Sequence, residues 1–116
     1  MKGTREQRGV LVRDSNKLVS SAVISGPKLN ESEVEAYARM TNVSDEVFRL
    51  IGNNRSWMKS YAIAAALTKN PKTPVALSLR FVPHMNDRDI KALAHDPNVS
   101  DPVRRATQHI VFRSQG

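Results

Sequence analysis

The sequence predicts an all-α fold, a right-handed α-solenoid of four two-helix repeats (period 28) with eight short helices. Segment 42–49 matches segment 98–105 at six of eight positions, so the two copies differ by 56 in residue number. Halving that offset gives the period, which aligns three columns of similar residues along the chain. Apolar residues also recur at i, i+3 and i+4 in both halves of each unit. A period of this length is typical of stacked supersecondary units.

The aligned columns divide one domain into units of about 1–28, 29–56, 57–84 and 85–116. The columns are Asp14, Asn42, Asn70 and Asn98; Val19, Val47, Val75 and Val103; and Val10, Ala38, Ala66 and Ala94. We expect the Val column to be buried in a row, so that Val75→Asp should be severely destabilising. The Asn column falls between the two helices of each unit, where tolerance of left-handed backbone is useful.

Start and stop signals place the eight helices in order along the chain. They are predicted at about 3–13, 16–25, 31–40, 45–53, 57–69, 73–83, 87–95 and 101–113. Asn30 and Asn86 are expected to begin the first helix of their units, in a sequence pattern that resembles a capping box. Ser44, Thr73-Pro74 and Ser100-Asp101-Pro102 open second helices. Gly52-Asn53-Asn54 closes one.

Several segments carry a resemblance to known repeat proteins. They are Asn70-Pro71-Lys72-Thr73-Pro74, Leu79-Arg80-Phe81-Val82-Pro83-His84, Asp87-Arg88-Asp89 and Asn98-Val99. With these segments the chain resembles the HEAT-like α-helical repeats, including the leucine-rich repeat variant, and a group of uncharacterised bacterial proteins. The resemblance implies partner binding along an extended face, and it brings no catalytic residues with it.

Composition narrows the class of partner. The net charge is +7 and the pI is about 10.3, which favours acidic partners. No cysteine is present, so disulfides, zinc ribbons and thiol nucleophiles are excluded. No apolar run approaches the roughly 20 residues of a membrane span, and the polar start does not resemble a signal peptide. We therefore expect a cytoplasmic protein.

Enzymatic chemistry finds little support in the sequence. Seven of the eleven acidic residues fall in the first turn of a predicted helix, where they cap amides and complement the macrodipole. These are Glu31, Glu33, Asp45, Glu46, Asp87, Asp89 and Asp101. The histidines His84, His95 and His109 lack the i, i+4 spacing of a helical zinc site, and no glycine-rich phosphate loop occurs. Trp57 is interpreted as packing between units. We expect no catalytic, cofactor or metal site.

Basic residues provide the candidate binding surface. Arg49, Arg80 and Arg105 stand two or five positions after the Val column, with Arg104 beside them, and Lys69 and Lys72 lie at one inter-helix turn. Corresponding positions on successive second helices line one face of a solenoid. The favoured function is a scaffold that holds an acidic protein partner on this face. The alternatives are a nucleic-acid binder that does not read sequence and, remotely, a HEAT-like DNA glycosylase.

The two ends of the predicted array differ. Glu6 and Gly9 replace apolar residues at the N-terminal end, so the first helix is expected to be the least stable. Ile110, Val111 and Phe112 instead continue the apolar pattern at the C-terminal end, where no further repeat follows. An uncovered apolar end face typically meets a partner, another copy or the rest of a longer chain. We therefore expect a homodimer through these three residues.

Overall fold

The computed structural model describes residues 4–14, 16–25 and 29–115, and this part of the chain is helical without strands. Gly3, where the first helix was predicted to begin, and residues 26–28 of the first unit boundary lie outside it. The described α-helices are α1 (Arg5–Leu11), α2 (Lys17–Ile24), α3 (Glu31–Ala38), α4 (Asp45–Gly52), α5 (Arg55–Met58), α6 (Tyr61–Lys69), α7 (Val75–Phe81), α8 (Asp87–Ala94) and α9 (Asp101–Gln115), with a 3-10 turn at Val82–His84. The all-α prediction is confirmed.

Helices that follow one another in the chain pack in pairs. The pairs are α1 with α2, α3 with α4, α6 with α7 and α8 with α9. Neighbouring pairs touch through α2 and α4, through α3 and α6, and through α7 and α9. The molecule measures 53 × 24 × 19 Å along its principal axes, so it is elongated.

Apolar side chains form two core clusters. The larger cluster centres on Phe48, Ile51 and Ile63, each fully buried. Trp57 is half-buried and packs against this cluster, which agrees with its predicted packing role. The smaller cluster includes Met85 and Leu93 and lies at the C-terminal end.

Side-chain caps begin most helices. Thr4 forms a complete capping box with Gln7, and the Asn30 and Asn86 side chains each accept an amide proton from the third residue of the helix they precede. Ser44 occupies the cap position of α4 without a side-chain cap bond. All seven carboxylates predicted to lie in first turns do so.

The helix predicted at 57–69 is interrupted, so the described part of the chain holds nine α-helices where eight were expected. A four-residue helix, α5, ends at Met58, and α6 begins at Tyr61. The break has a local cause. Asn54 caps Trp57 at the start of α5, and the Ser60 hydroxyl accepts from the Ile63 amide to start α6. Two competing caps within six residues divide the segment.

The third helix pair is displaced by two residues from the predicted register. Helix α6 begins thirty residues after α3, and α7 begins thirty residues after α4. Burial follows the same shift, because Leu77 and Ser78 occupy the buried positions that Val47 and Phe48 hold in α4. Val75 is only half-buried, so its predicted place in a buried Val column was wrong. Val19 is also half-buried, whereas Val47 and Val103 are buried.

Two further column predictions need correction. Val10 is 66% exposed and Val12 is fully buried in its place, because α1 begins twenty-six residues before α3. Asn70 does not adopt left-handed backbone, and among the described residues no position with positive φ occurs. Its buried amide donates to the carbonyl oxygens of Ala38 and Met40 at 2.8 and 2.7 Å. Asn70 therefore joins α6 to the end of α3.

Candidate functional site

Two of the predicted arginines are related to Asn53, the residue that closes α4. Arg49 and the helix-closing Asn53 are four residues apart, so they share one face of the helix. Arg80 of α7 reaches the same place, where its Nη1 donates to Asn53 Oδ1 at 3.2 Å. Both arginines are exposed, and Arg49 Nη1 forms an ion pair with Glu46 Oε2 at 4.0 Å. The end of α4 therefore carries two exposed guanidinium groups, of which Arg49 has a carboxylate partner.

The third arginine lies on α9, the helix that packs beside α7. Arg105 is exposed and is the fifth residue of α9, as Arg49 is of α4. With the thirty-residue offset of the third pair, the equivalent position in α7 is Leu79, which is 37% exposed. Arg80 is the next residue. We call the three exposed residues Arg49, Arg80 and Arg105 the arginine ridge. Arg80 stands one position after the equivalent of the other two, which Leu79 occupies.

The other predicted basic residues have different surroundings. Arg104 is engaged within the loop before α9, where its guanidinium donates to the Asp96 and Val99 carbonyl oxygens and pairs with Asp101. Lys69 pairs with Asp89 at 2.9 Å. Lys72 is exposed in the loop between α6 and α7. Of these three, Lys72 is the one for which the described residues provide no ion pair.

An apolar pocket of about 410 Å³ adjoins the arginine ridge at Arg80. Gly52, Leu67 and Leu77 belong to its walls, and Met58 contributes from α5. Gly52 packs closely on α7, because a Cβ there would lie 2.9 Å from Leu77 Cδ2 and would displace that side chain.

A second cleft, of about 370 Å³, lies on the side of the first helices. It contains a polar network in which Asp89 accepts from the Tyr61 hydroxyl at 2.6 Å and from Lys69 Nζ at 2.9 Å. The Tyr61 hydrogen bond and then the Lys69 ammonium lower the pKa of Asp89. Burial, with the hydrogen bond to Asp89, raises the pKa of Tyr61. These contacts tie α8 to α6.

A buried ion pair joins α1 to α3. Arg8 Nε and Nη2 donate to the two oxygens of Glu33 at 2.9 and 2.6 Å, and the Tyr37 hydroxyl donates to the same carboxylate at 3.2 Å. Glu33 is 2% exposed. The bonds from Arg8 lower the pKa of Glu33, while burial and the adjacent carboxylate raise the pKa of Tyr37. The Glu33 carboxylate is thus held ionised and inaccessible.

Two acidic residues of the polar networks are held as carboxylates. The pKa values of Glu33 and Asp89 are both lowered, whereas a general acid at neutral pH needs a raised pKa. In the part of the chain that the structure describes, no three His, Asp or Glu side chains cluster as metal ligands. None of the helices described combines the length and hydropathy that a bilayer span requires.

The predicted self-association residues divide into two kinds. Ile110 and Val111 are half-buried and pack against the smaller core cluster. Phe112 is 76% exposed. Only Phe112 of the three therefore presents most of its ring to solvent.

The pocket and the Glu33 network were not predicted from sequence. A weak signal existed for Glu33, since it lies at the third position of α3, on the same face as Tyr37 one turn later. For the pocket no signal was available, because its walls come from four different helices. Compared with family models, with curated proteins and with solved structures, the chain gives no significant match.

Proposed function

We propose that this chain is a non-enzymatic helical-repeat module, a right-handed α-solenoid of four two-helix repeats, that holds an acidic protein partner on its second-helix face. The observation that carries the proposal is the pair of exposed arginines on the second helices, Arg49 on α4 and Arg80, which donates from α7 to Asn53 at the end of α4. Cations exposed together on a surface favour encounter with a partner of opposite charge.

The packing of the helices supports the solenoid part of the proposal. Consecutive helices pack in pairs, neighbouring pairs touch, and the body is elongated. In a solenoid each unit contacts only its neighbours, and its second helices form one extended face. The candidate site lies on that face, because α4, α7 and α9 carry the arginine ridge.

The arginine ridge can be tested with a matched set of charge variants. Arg49, Arg80 and Arg105 are changed together to Ala, and the control changes Arg39, Arg88 and Lys91, which are exposed residues of α8 and the end of α3. The probe is an acidic peptide of Glu and Asp, with binding measured by fluorescence anisotropy. Three exposed ion pairs at roughly 0.5 kcal/mol each predict about tenfold weaker binding for the ridge variant. Equal loss in the control would show that net charge alone attracts the peptide.

Nucleic acid is the second candidate, favoured by the net charge of +7. Backbone binding weakens steeply between about 50 and 200 mM salt as counterions are released. Duplex DNA is therefore titrated against the same variants at both salt concentrations. Tight binding at low salt with a steep decline, lost in the ridge variant, would favour nucleic acid over the acidic peptide.

A further inference from the structure

The pocket beside the arginine ridge combines an apolar interior with a cationic rim. Leu67, Leu77 and Met58 line the interior, and Arg80 and His84 also line the pocket, both exposed. No carboxylate is among the described residues that line it. An apolar cavity with a few polar groups at its edge is the usual form of a specific binding site.

The charge of the rim indicates what the pocket accepts. The Arg80 guanidinium donates to the neutral amide oxygen of Asn53, and within the described part of the chain no carboxylate forms an ion pair with it. Arg49 lies one helical turn before Asn53. A ligand that enters the pocket therefore meets positive charge, which a carboxylate beside its apolar group would complement.

The volume indicates the size of the group. At about 410 Å³ the pocket is near the lower end of the roughly 300–1,000 Å³ range of small-molecule sites. It suits one large side chain better than a nucleotide or a cofactor. Large side chains seated in such pockets commonly anchor protein interfaces.

We propose that this pocket seats one aromatic or large aliphatic side chain of the acidic partner, with a carboxylate of an adjacent partner residue on Arg80. The inference rests on the proposed function and specifies the partner's chemistry. The partner is then an acidic segment that carries a single apolar anchor. Arg49 and Arg105 would hold its flanking carboxylates.

Binding of two peptides and one small molecule is measured, to test the anchor pocket separately from the proposed function. The first peptide is a run of Glu and Asp with a central Phe, the second has Ala at that position, and the small molecule is phenylacetate. Burying a Phe side chain predicts about tenfold tighter binding of the Phe peptide. Methyl NMR signals of Met58, Leu67 and Leu77 should shift with the Phe peptide and remain in place with the Ala peptide.

A pocket variant provides the second measurement. Met58→Gln keeps the length of the side chain and makes one wall polar, so the advantage of the Phe peptide should fall to about twofold while binding of the Ala peptide is unchanged. Arg105→Ala is the control, since it should weaken both peptides equally. Far-UV circular dichroism verifies that each variant is folded.

Three other outcomes would overturn the anchor pocket, both proposals or the choice of a protein partner. Equal binding of the two peptides, both weakened in the ridge variant, would overturn the anchor pocket and leave the proposed function intact. Absence of binding by either peptide would overturn both. Phenylacetate that shifts the same methyl signals at lower concentration than the Phe peptide would replace the protein partner with a small carboxylate ligand.

Discussion

Substitutions at Val75 and Leu77 distinguish the observed register of the third helix pair from that of a strict repeat. A strict repeat buries Val75 in a column of valines, and Asp at that position would then unfold the protein. The structure instead leaves Val75 half-buried at the first position of α7 and buries Leu77, which is 8% exposed. A substitution at Leu77 should therefore destabilise the protein more than a substitution at Val75.

The magnitudes follow from their surroundings. Val75→Asp loses about 1 kcal/mol of partial burial. It regains about 0.3–1 kcal/mol because α7 has neither a side-chain cap nor an acid in its first turn, so the net cost stays below about 1 kcal/mol. Core Leu→Ala changes cost about 2–5 kcal/mol. Because Leu77 borders the open pocket, Leu77→Ala should cost about 2–3 kcal/mol, in the lower half of that range.

Urea denaturation followed by far-UV circular dichroism measures both changes. With a urea m-value of about 1.5 kcal/mol/M, Leu77→Ala should lower the midpoint by roughly 1.5 M, whereas Val75→Asp should shift it by less than half as much. Ala76→Asp is the matched control, since it adds the same charge at an exposed neighbour. A severe loss at Val75 together with a neutral effect at Leu77 would refute the displaced register.

Glu33→Gln should lower the free energy of unfolding by about 2 kcal/mol, because it removes hydrogen bonds to a buried carboxylate; a loss below about 0.5 kcal/mol in urea titration would contradict this. The lowered pKa values of Glu33 and Asp89, from ordinary values of 4.5 and 3.8, stabilise the fold above those values, so Tm should fall as the pH drops below about 4.5. A flat acid profile would argue against both pairs. Asn70→Ala should cost about 2 kcal/mol by removing the amide that donates to the Ala38 and Met40 carbonyl oxygens, whereas Asn98→Ala, at an exposed position, should be neutral in the same titration. Phe112→Ser should convert a dimer to a monomer in sedimentation velocity, and a wild-type monomer at high concentration would remove the basis for self-association.

Local signals in the sequence were sufficient for most of the helices. First-turn carboxylates and Asn caps act within one helical turn, so their pattern predicts where a helix begins without knowledge of the fold. Asn30 and Asn86 both cap as predicted. The match between segments 42–49 and 98–105 also holds in the fold, since α4 and α9 begin at Asp45 and Asp101.

Contacts between residues far apart in the chain could not be predicted from the sequence. Halving the offset between the two matching segments assigned Asn70 and Val75 to columns because residue identity happened to match there, while burial follows a different register. The Arg8–Glu33 pair spans 25 residues and depends on how α1 docks on α3. Such contacts depend on the relative placement of helices, which periodicity alone does not determine.

The segment that displaces the third helix pair from the predicted register also forms part of the candidate site. The two extra residues that displace the third pair fall between α4 and α6, in the segment that forms α5. Helix α5 supplies Met58 to the pocket, and the displaced α7 supplies Leu77, packed closely on Gly52. With the same displacement Leu79, like Arg49 and Arg105, is the fifth residue of its helix. A strict repeat would have neither α5 nor the displaced α7 to form these walls, which is why the irregular segment is where recognition is expected.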